Sequence, residues 1–509
     1  MNHKANKRSL RIFSWIALLS VAIFMYQCTE DPYEPDVTGT IAGIVKDAET
    51  DAPLPNVTIT TQPATAEAPV TGQDGRYLIS EVDTGQYSIV AEKADYDSKI
   101  LSIKVKKNDT ARVTVLLNPS DGSASSDITF EDRFMPGEGA QDQPIDPLLS
   151  WKAVDGTADD SLTYDVFLYR PDSPSRTLVA EGITDTSYRV DPLIYNSVYY
   201  WQVKAMDEQD DENVTYSRTL SFKTKGISDN SLFFVQKVDG DYEVMAYDFD
   251  REDVNPITFN NQRDWAPKLN PKSGRIAFVS DADVKPLIYT MDKNGGEIQQ
   301  LSDDLAVNGY HNYGNAFDWD EKRGKIVFSH NRYLYEIDAN GTNLQAITTA
   351  PANRHFREVE ISPDGAQILT LTIGEKVYNS EIYLMDRNGS NKQVLIDNPP
   401  GIVQSPSWSI DGNSILYTQD VSGNESIDGR MLDSRIFRLN LSTMDTTALS
   451  QNKSQGTNDM HPRYSPTGAQ IVFTNAPNDD SQPPRIMIMG DDGESREELV
   501  EEGRLPFWK

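Results

Sequence analysis

The sequence predicts an all-β chain, with two small β-sandwich domains followed by a six-bladed β-propeller. Three observations lead there. No long helical periodicity follows the N-terminal leader; short β-branched and aromatic runs are instead broken by Gly, Asp, Asn and Pro about every ten residues. From about Ser228 onward three phrases recur in a fixed order. The start of that repeat lacks a first strand, and the C-terminus supplies one.

The chain opens with Lys4, Lys7, Arg8 and Arg11, then an uncharged, mostly apolar run from Ile12 to Met25. That run is shorter than the roughly 20 residues needed to span a bilayer. It leads to Cys28, the one cysteine among 509 residues, so no internal disulfide or thiolate metal cluster can form. A lone cysteine in that place resembles the lipobox of bacterial lipoproteins. Met25, Tyr26 and Gln27 stand where that family has a Leu and two small residues. The resemblance implies a signal peptide over 1–27 and an acylated Cys28. The tether 28–37 contains TEDPYEPD, which resembles acidic export signals of surface lipoproteins in Bacteroidetes-type bacteria. A lipid-anchored protein of the outer membrane, exposed at the cell surface, is the expectation.

Residues 38–118 carry alternating runs: TIAGIVKD, VTITTQ, GRYLI, GQYSIVAEK and ARVTVLL. With the turns at Asp74-Gly75 and Thr84-Gly85, this segment resembles the carboxypeptidase regulatory-like domain, a prealbumin-like sandwich. The resemblance implies a structural or adaptor module. Residues 121–226 read PLLSWKAVDG, LTYDVFLYR, TSYRV, YYWQVKAMD and RTLSFKT, resembling a fibronectin type III domain. Trp151, Tyr164, Tyr200 and Trp201 are its expected core.

Residues 228–509 are the repeat. An apolar strand ends in a turn (KLNPKSG, FDWDEKRG, VEISPDG, PSWSIDG, PRYSPTG), a second strand follows (RIAFVS, KIVFSH, QILTLT, SILYTQ, QIVFTN), and a hairpin completes the unit. Anchors at Leu269, Trp319, Ile361, Trp408 and Tyr464 stand 50, 42, 47 and 56 residues apart, which are blade periods. Asn294-Gly295, Asn340-Gly341 and Asn388-Gly389 are expected to supply the positive-φ pair of a tight hairpin. SLFFVQ, YEVMAYDFD and PITF read as the second to fourth strands of a blade. Residues 505–508 supply its first, pairing with the strand that holds Phe233 and Phe234. A ring closed this way leaves no long sheet edge. Turns and period resemble the propeller repeats of the TolB family.

Asp and Glu number 78 against 47 Lys and Arg, a net charge of −31, which argues against nucleic acid as a partner. No G-x-S-x-G elbow, H-E-x-x-H helix or phosphate-cradling glycine loop occurs. The expected function is therefore non-catalytic, with no cofactor: binding or scaffolding of an envelope protein, peptide or glycan. Long connections at 303–315, 421–434 and 451–460 share one propeller face, and long loops on a rigid scaffold are where binding usually lives. The candidate ligand-binding residues there are Trp265, His311, Tyr313, His355, Arg357 and His461. Lyases with related propellers hold a divalent metal with several histidines on this face, so a metal-dependent polysaccharide lyase or other hydrolytic envelope enzyme is the alternative. His461 lies three residues before its anchor, His355 six and His311 eight. Such uneven offsets argue against convergence on one ion.

Overall fold

The computed structural model describes residues 38–120, 127–156, 162–171, 173, 176–208, 213–282, 284–302, 305–307 and 316–509. Cys28 and the leader, with the expectations attached to them, lie outside the described residues, as do His311 and Tyr313. Among the described residues there are forty strands and no helix. The chain forms two compact units. One holds the sandwiches; the other holds the propeller together with Gln141–Pro147 and Asp191–Ser197.

In the first sandwich, Thr38–Asp47 lies between Arg76–Asp83, antiparallel, and Thr110–Leu117, parallel. Gly85–Glu92 lies between Thr58–Gln62 and Lys99–Val105 in the second sheet. Side chains alternate between faces along a strand, so Ile41, Val45, Ile59, Ile79, Ile89 and Val113 bury between the sheets. In the second sandwich Leu162–Tyr169 pairs with both Thr177–Ile183 and Val198–Asp207. Trp151 meets Tyr164 edge-on at 5.3 Å, and Trp201 is wholly buried. The two sandwiches share a core: Tyr169 and Tyr200, stacked at 5.2 Å, join the cluster of the first. Arg176 donates to the carbonyls of Ala48 and Glu49 at 2.6 and 3.2 Å, with its guanidinium over Phe167.

The propeller has six four-stranded sheets. Their inner strands are Asp264–Asn270, Phe317–Asp320, His355–Ile361, Val403–Trp408, Thr457–Tyr464 and Arg504–Phe507. Each inner strand touches the next in that order, and the last touches the first, so the ring is closed. Closure is made by Arg504–Phe507 beside Ser231–Val238, with Phe507 opposite Phe233 and Arg504 opposite Val235. Phe507 is buried, and Trp508 stacks on Phe249 at 4.6 Å.

Two local expectations are corrected. The fourth strand of the closing blade is Asp253–Pro256, not PITF. Thr258 is drawn off the ladder because its hydroxyl accepts from Val244 N–H and donates to Glu243. The Asn-Gly hairpins do not use a positive-φ pair. Only the glycines adopt it, at 83, 84 and 80° for Gly295, Gly341 and Gly389. The preceding aspartate explains the difference: Gly341 N–H donates to Asp338 C=O, and Asn343 then donates to the Asp338 carboxylate. Asp386 repeats both contacts, which makes a longer loop than a two-residue turn.

Candidate functional site

Inner strands line the propeller channel, and the residue before each anchor sets a layer of it: Lys268, Asp318, Glu360, Ser407, Arg463 and Phe507. All six are buried. Lys268 Nζ donates to Asp318 Oδ1 at 3.1 Å and to Glu360 Oε1 at 2.6 Å, and Arg463 reaches the same Glu360 oxygen at 2.5 Å. The Lys268 ammonium lies 5.9 Å from the ring centres of both Phe317 and Phe507. Burial opposes charge on Glu360, but Arg463 and Lys268 outweigh it and hold that carboxyl below its ordinary range. Burial and the neighbouring Glu360 push Asp318 up. Two cations and two carboxylates therefore close a neutral set inside the channel, as buried charges require.

Toward the long-loop end the wall changes. Glu358 is buried and accepts from Ser405 N–H at 3.3 Å. His461 Nδ1 lies 3.3 Å from the Thr474 hydroxyl. Burial, with Arg504, Arg463 and Arg357 nearby, pushes the imidazole down to about 3. It is a neutral hydrogen-bonding ring at any physiological pH. Arg357 is half-buried and neighbours Glu358.

The expected site residues thus fall in different settings. Arg357 and His461 lie on neighbouring parts of the channel wall, and half-buried His355 begins its strand. Trp265 is 8% exposed and packs with Val235, Ala277 and Leu505 in a hydrophobic cluster. His330, the last residue of its strand, bonds the carbonyl of Ala306 at 2.7 Å. Among the described residues no three of His, Cys, Asp and Glu are grouped to hold a metal.

The sequence reading missed the charged layer and a repeated kink. Ala266, Ser405, His461 and Leu505 all have positive φ, near 50 to 56°, and each stands directly before a proline. The strand register slips at each of the four. A non-glycine residue in that conformation costs of order 1–3 kcal/mol and persists only where its surroundings enforce it. The signal was present: Pro267, Pro406, Pro462 and Pro506 occupy one repeat position. Proline inside a strand marks an edge or a bulge.

Opposite the long loops the channel ends at the SPDG-type turns. Ser362 and Ser409 hold these turns by donating to Asp364 and Asp411 at 2.6 Å. A cavity of about 200 Å³ opens there, walled by Trp319, Trp408, Tyr464 and Trp508, with Asp318, Glu360 and Arg463 at its base.

On the long-loop face the connections are braced from below. Arg263 N–H donates to Asp281 at 2.9 Å, tying one loop to the start of an inner strand. The Asp420 carboxylate accepts from the backbone N–H of Ser422, Leu432 and Asp433 at 3.0 Å. Above these braces stand exposed apolar tips: Val284 at 94%, Ile427 at 81%, and also Phe259 and Tyr333.

Residues 40–118 match the family model of the carboxypeptidase regulatory-like domain. The first sandwich, with its parallel pairing of first and last strands, is that domain. Elsewhere the likenesses are partial. Over 106 residues, 21% of this chain is 30% identical to 15% of an uncharacterized peptidase, YuxL, of Bacillus subtilis. Over 144 residues it is 24% identical to an uncharacterized protein, Atu1656, of Agrobacterium fabrum, covering 26% of this chain and 46% of that one. The chain spans less than half the length of either relative. Among solved structures, TolB of Acinetobacter baumannii is similar over 60% of this chain and 78% of its own, at 17% identity and a TM-score of 0.43.

Proposed function

We propose that this chain is a non-catalytic binding and scaffolding protein of the bacterial cell envelope, anchored by lipid at Cys28, and that it grips a protein or peptide partner through the long-loop face of the propeller. One observation carries the reading. The braced loops of that face hold Val284 and Ile427 almost fully in water, with Phe259 and Tyr333 exposed on the same side. Apolar tips on rigid supports cost solvation in the free protein and gain it back on a partner. Arg357, His461, His355, His311 and Tyr313 belong to the proposed contact set, and Trp265 supports it from the core. Arg and Tyr are among the side chains most often found as binding hot spots.

The non-catalytic reading is supported by how the channel charges are used. Lys268, Arg463, Asp318 and Glu360 neutralise one another in strand-to-strand bonds, and His461 is held neutral by burial and by its arginine neighbours. Placing a photo-crosslinking residue at position 427 in cells of the native host tests the proposal. A discrete adduct with one envelope protein is expected. Absence of any adduct from positions 427 and 284 alike contradicts it.

A further inference from the structure

We propose that the SPDG-turn end of the channel is a binding pocket for one neutral sugar ring, a site separate from the long-loop face and independent of that reading. Size is the first argument. The cavity of about 200 Å³ lies below the roughly 300 Å³ at which pockets for drug-sized ligands begin, so it suits one ring. Its walls are the second. Trp319, Trp408, Tyr464 and Trp508 all border it, and such side chains offer a broad apolar face with a polar tip. The apolar faces of a pyranose stack on them while its hydroxyls stay free to bond.

One buried donor beside the cavity is unanswered. Trp319 and Trp408 are anchors at the same repeat position. The Trp319 indole N–H donates to Lys268 C=O at 2.8 Å. The Trp408 indole N–H is buried and meets no acceptor among the described residues, although its side chain borders the cavity. Leaving a buried donor unpaired is unfavourable, and a ligand that turns the Trp408 ring toward the cavity gives this N–H an oxygen partner. The base of the cavity fixes the ligand's charge. Of the carboxylates that line it, Asp318 and Glu360 pair with Lys268 and Arg463, Asp320 with Arg323 and Arg387, and Glu321 with Lys509, while Lys322 is exposed, so an ionic ligand would bring a further charge into paired sets. The carboxylates keep lone pairs that can accept from sugar hydroxyls.

The full chain is titrated with methyl glucopyranoside, mannopyranoside and galactopyranoside, and with glucuronic acid and glucosamine as charged counterparts. Binding is followed by saturation-transfer NMR and tryptophan fluorescence. At least one neutral glycoside is expected to bind, and about tenfold more weakly to Trp408→Phe, which keeps a ring but lacks the N–H. If Trp408→Phe fails to fold, Ile410→Trp decides. Ile410 is half-exposed at the rim, and the larger ring is expected to block entry without disturbing the core. Silence from all three neutral glycosides, equal binding of the charged sugars, or unchanged binding by the informative variant overturns the proposal.

Discussion

Lys268 Nζ lies 2.6 Å from Glu360 Oε1, joining inner strands that are two blades and 92 residues apart. The ammonium is wholly buried and also bonds Asp318, so one cation serves two carboxylates. Truncating it takes that cation from both and leaves Glu360 with Arg463 alone. Lys268→Met is expected to cost about 3–5 kcal/mol, the usual price of breaking a buried ion pair from one side. Chemical denaturation measures this, and a change below about 1 kcal/mol, typical of surface pairs, would mean that water reaches the layer.

Ring closure rests on few residues. Phe507 sits opposite Phe233, and Trp508 on Phe249. Deleting residues 504–509 exposes the edge of Ser231–Val238 and removes a buried aromatic worth about 3–5 kcal/mol, against a typical domain stability of roughly 5–15 kcal/mol. Aggregation during expression is expected. A soluble truncated chain with the melting temperature of the intact one would contradict the closure.

A carboxyl pair near the long loops sets a pH dependence. Burial pushes Glu243 up to about 7 and Asp264 up to about 6; Asp264 and Asp241 raise Glu243 further, and Asp241 raises Asp264. Both therefore hold protons in the folded chain over a range where the unfolded chain has lost them. Their contribution to stability is complete below about pH 4, and is lost as pH rises through about 6 to 7. The melting temperature is expected to decline from about pH 5 to 8, and Glu243→Gln to flatten that decline. An unchanged slope in the variant would contradict the assignment.

The anchor is tested by Cys28→Ala. Release from the membrane fraction, or accumulation of an uncleaved precursor, is expected. Normal fractionation at the normal mature mass would contradict acylation at Cys28.

Much of the architecture was legible because it is written locally. Strand alternation, turn residues and blade period are properties of neighbouring residues, and even ring closure showed as a first strand displaced to residues 505–508. The candidate site was less legible. Lys268, Glu360 and Arg463 look in sequence like ordinary charges on exposed strand faces; only the ring brings them together. Trp265 reads equally well as a contact residue or as core, and periodicity does not separate the two. The cavity between Trp319, Trp408 and Trp508 depends on spacing between blades, which no single repeat encodes.

The central claim is that the long-loop face holds the partner. Val284 and Ile427 are 94% and 81% exposed, so Val284→Asp with Ile427→Asp leaves the fold's core untouched. The most direct measurement is quantitative capture from envelope extracts of the native host, beside the melting temperature of each protein. The account predicts an unchanged melting temperature and at least about tenfold less of the specific partner retained, as expected for central apolar contacts. Undiminished capture by the double variant would contradict it.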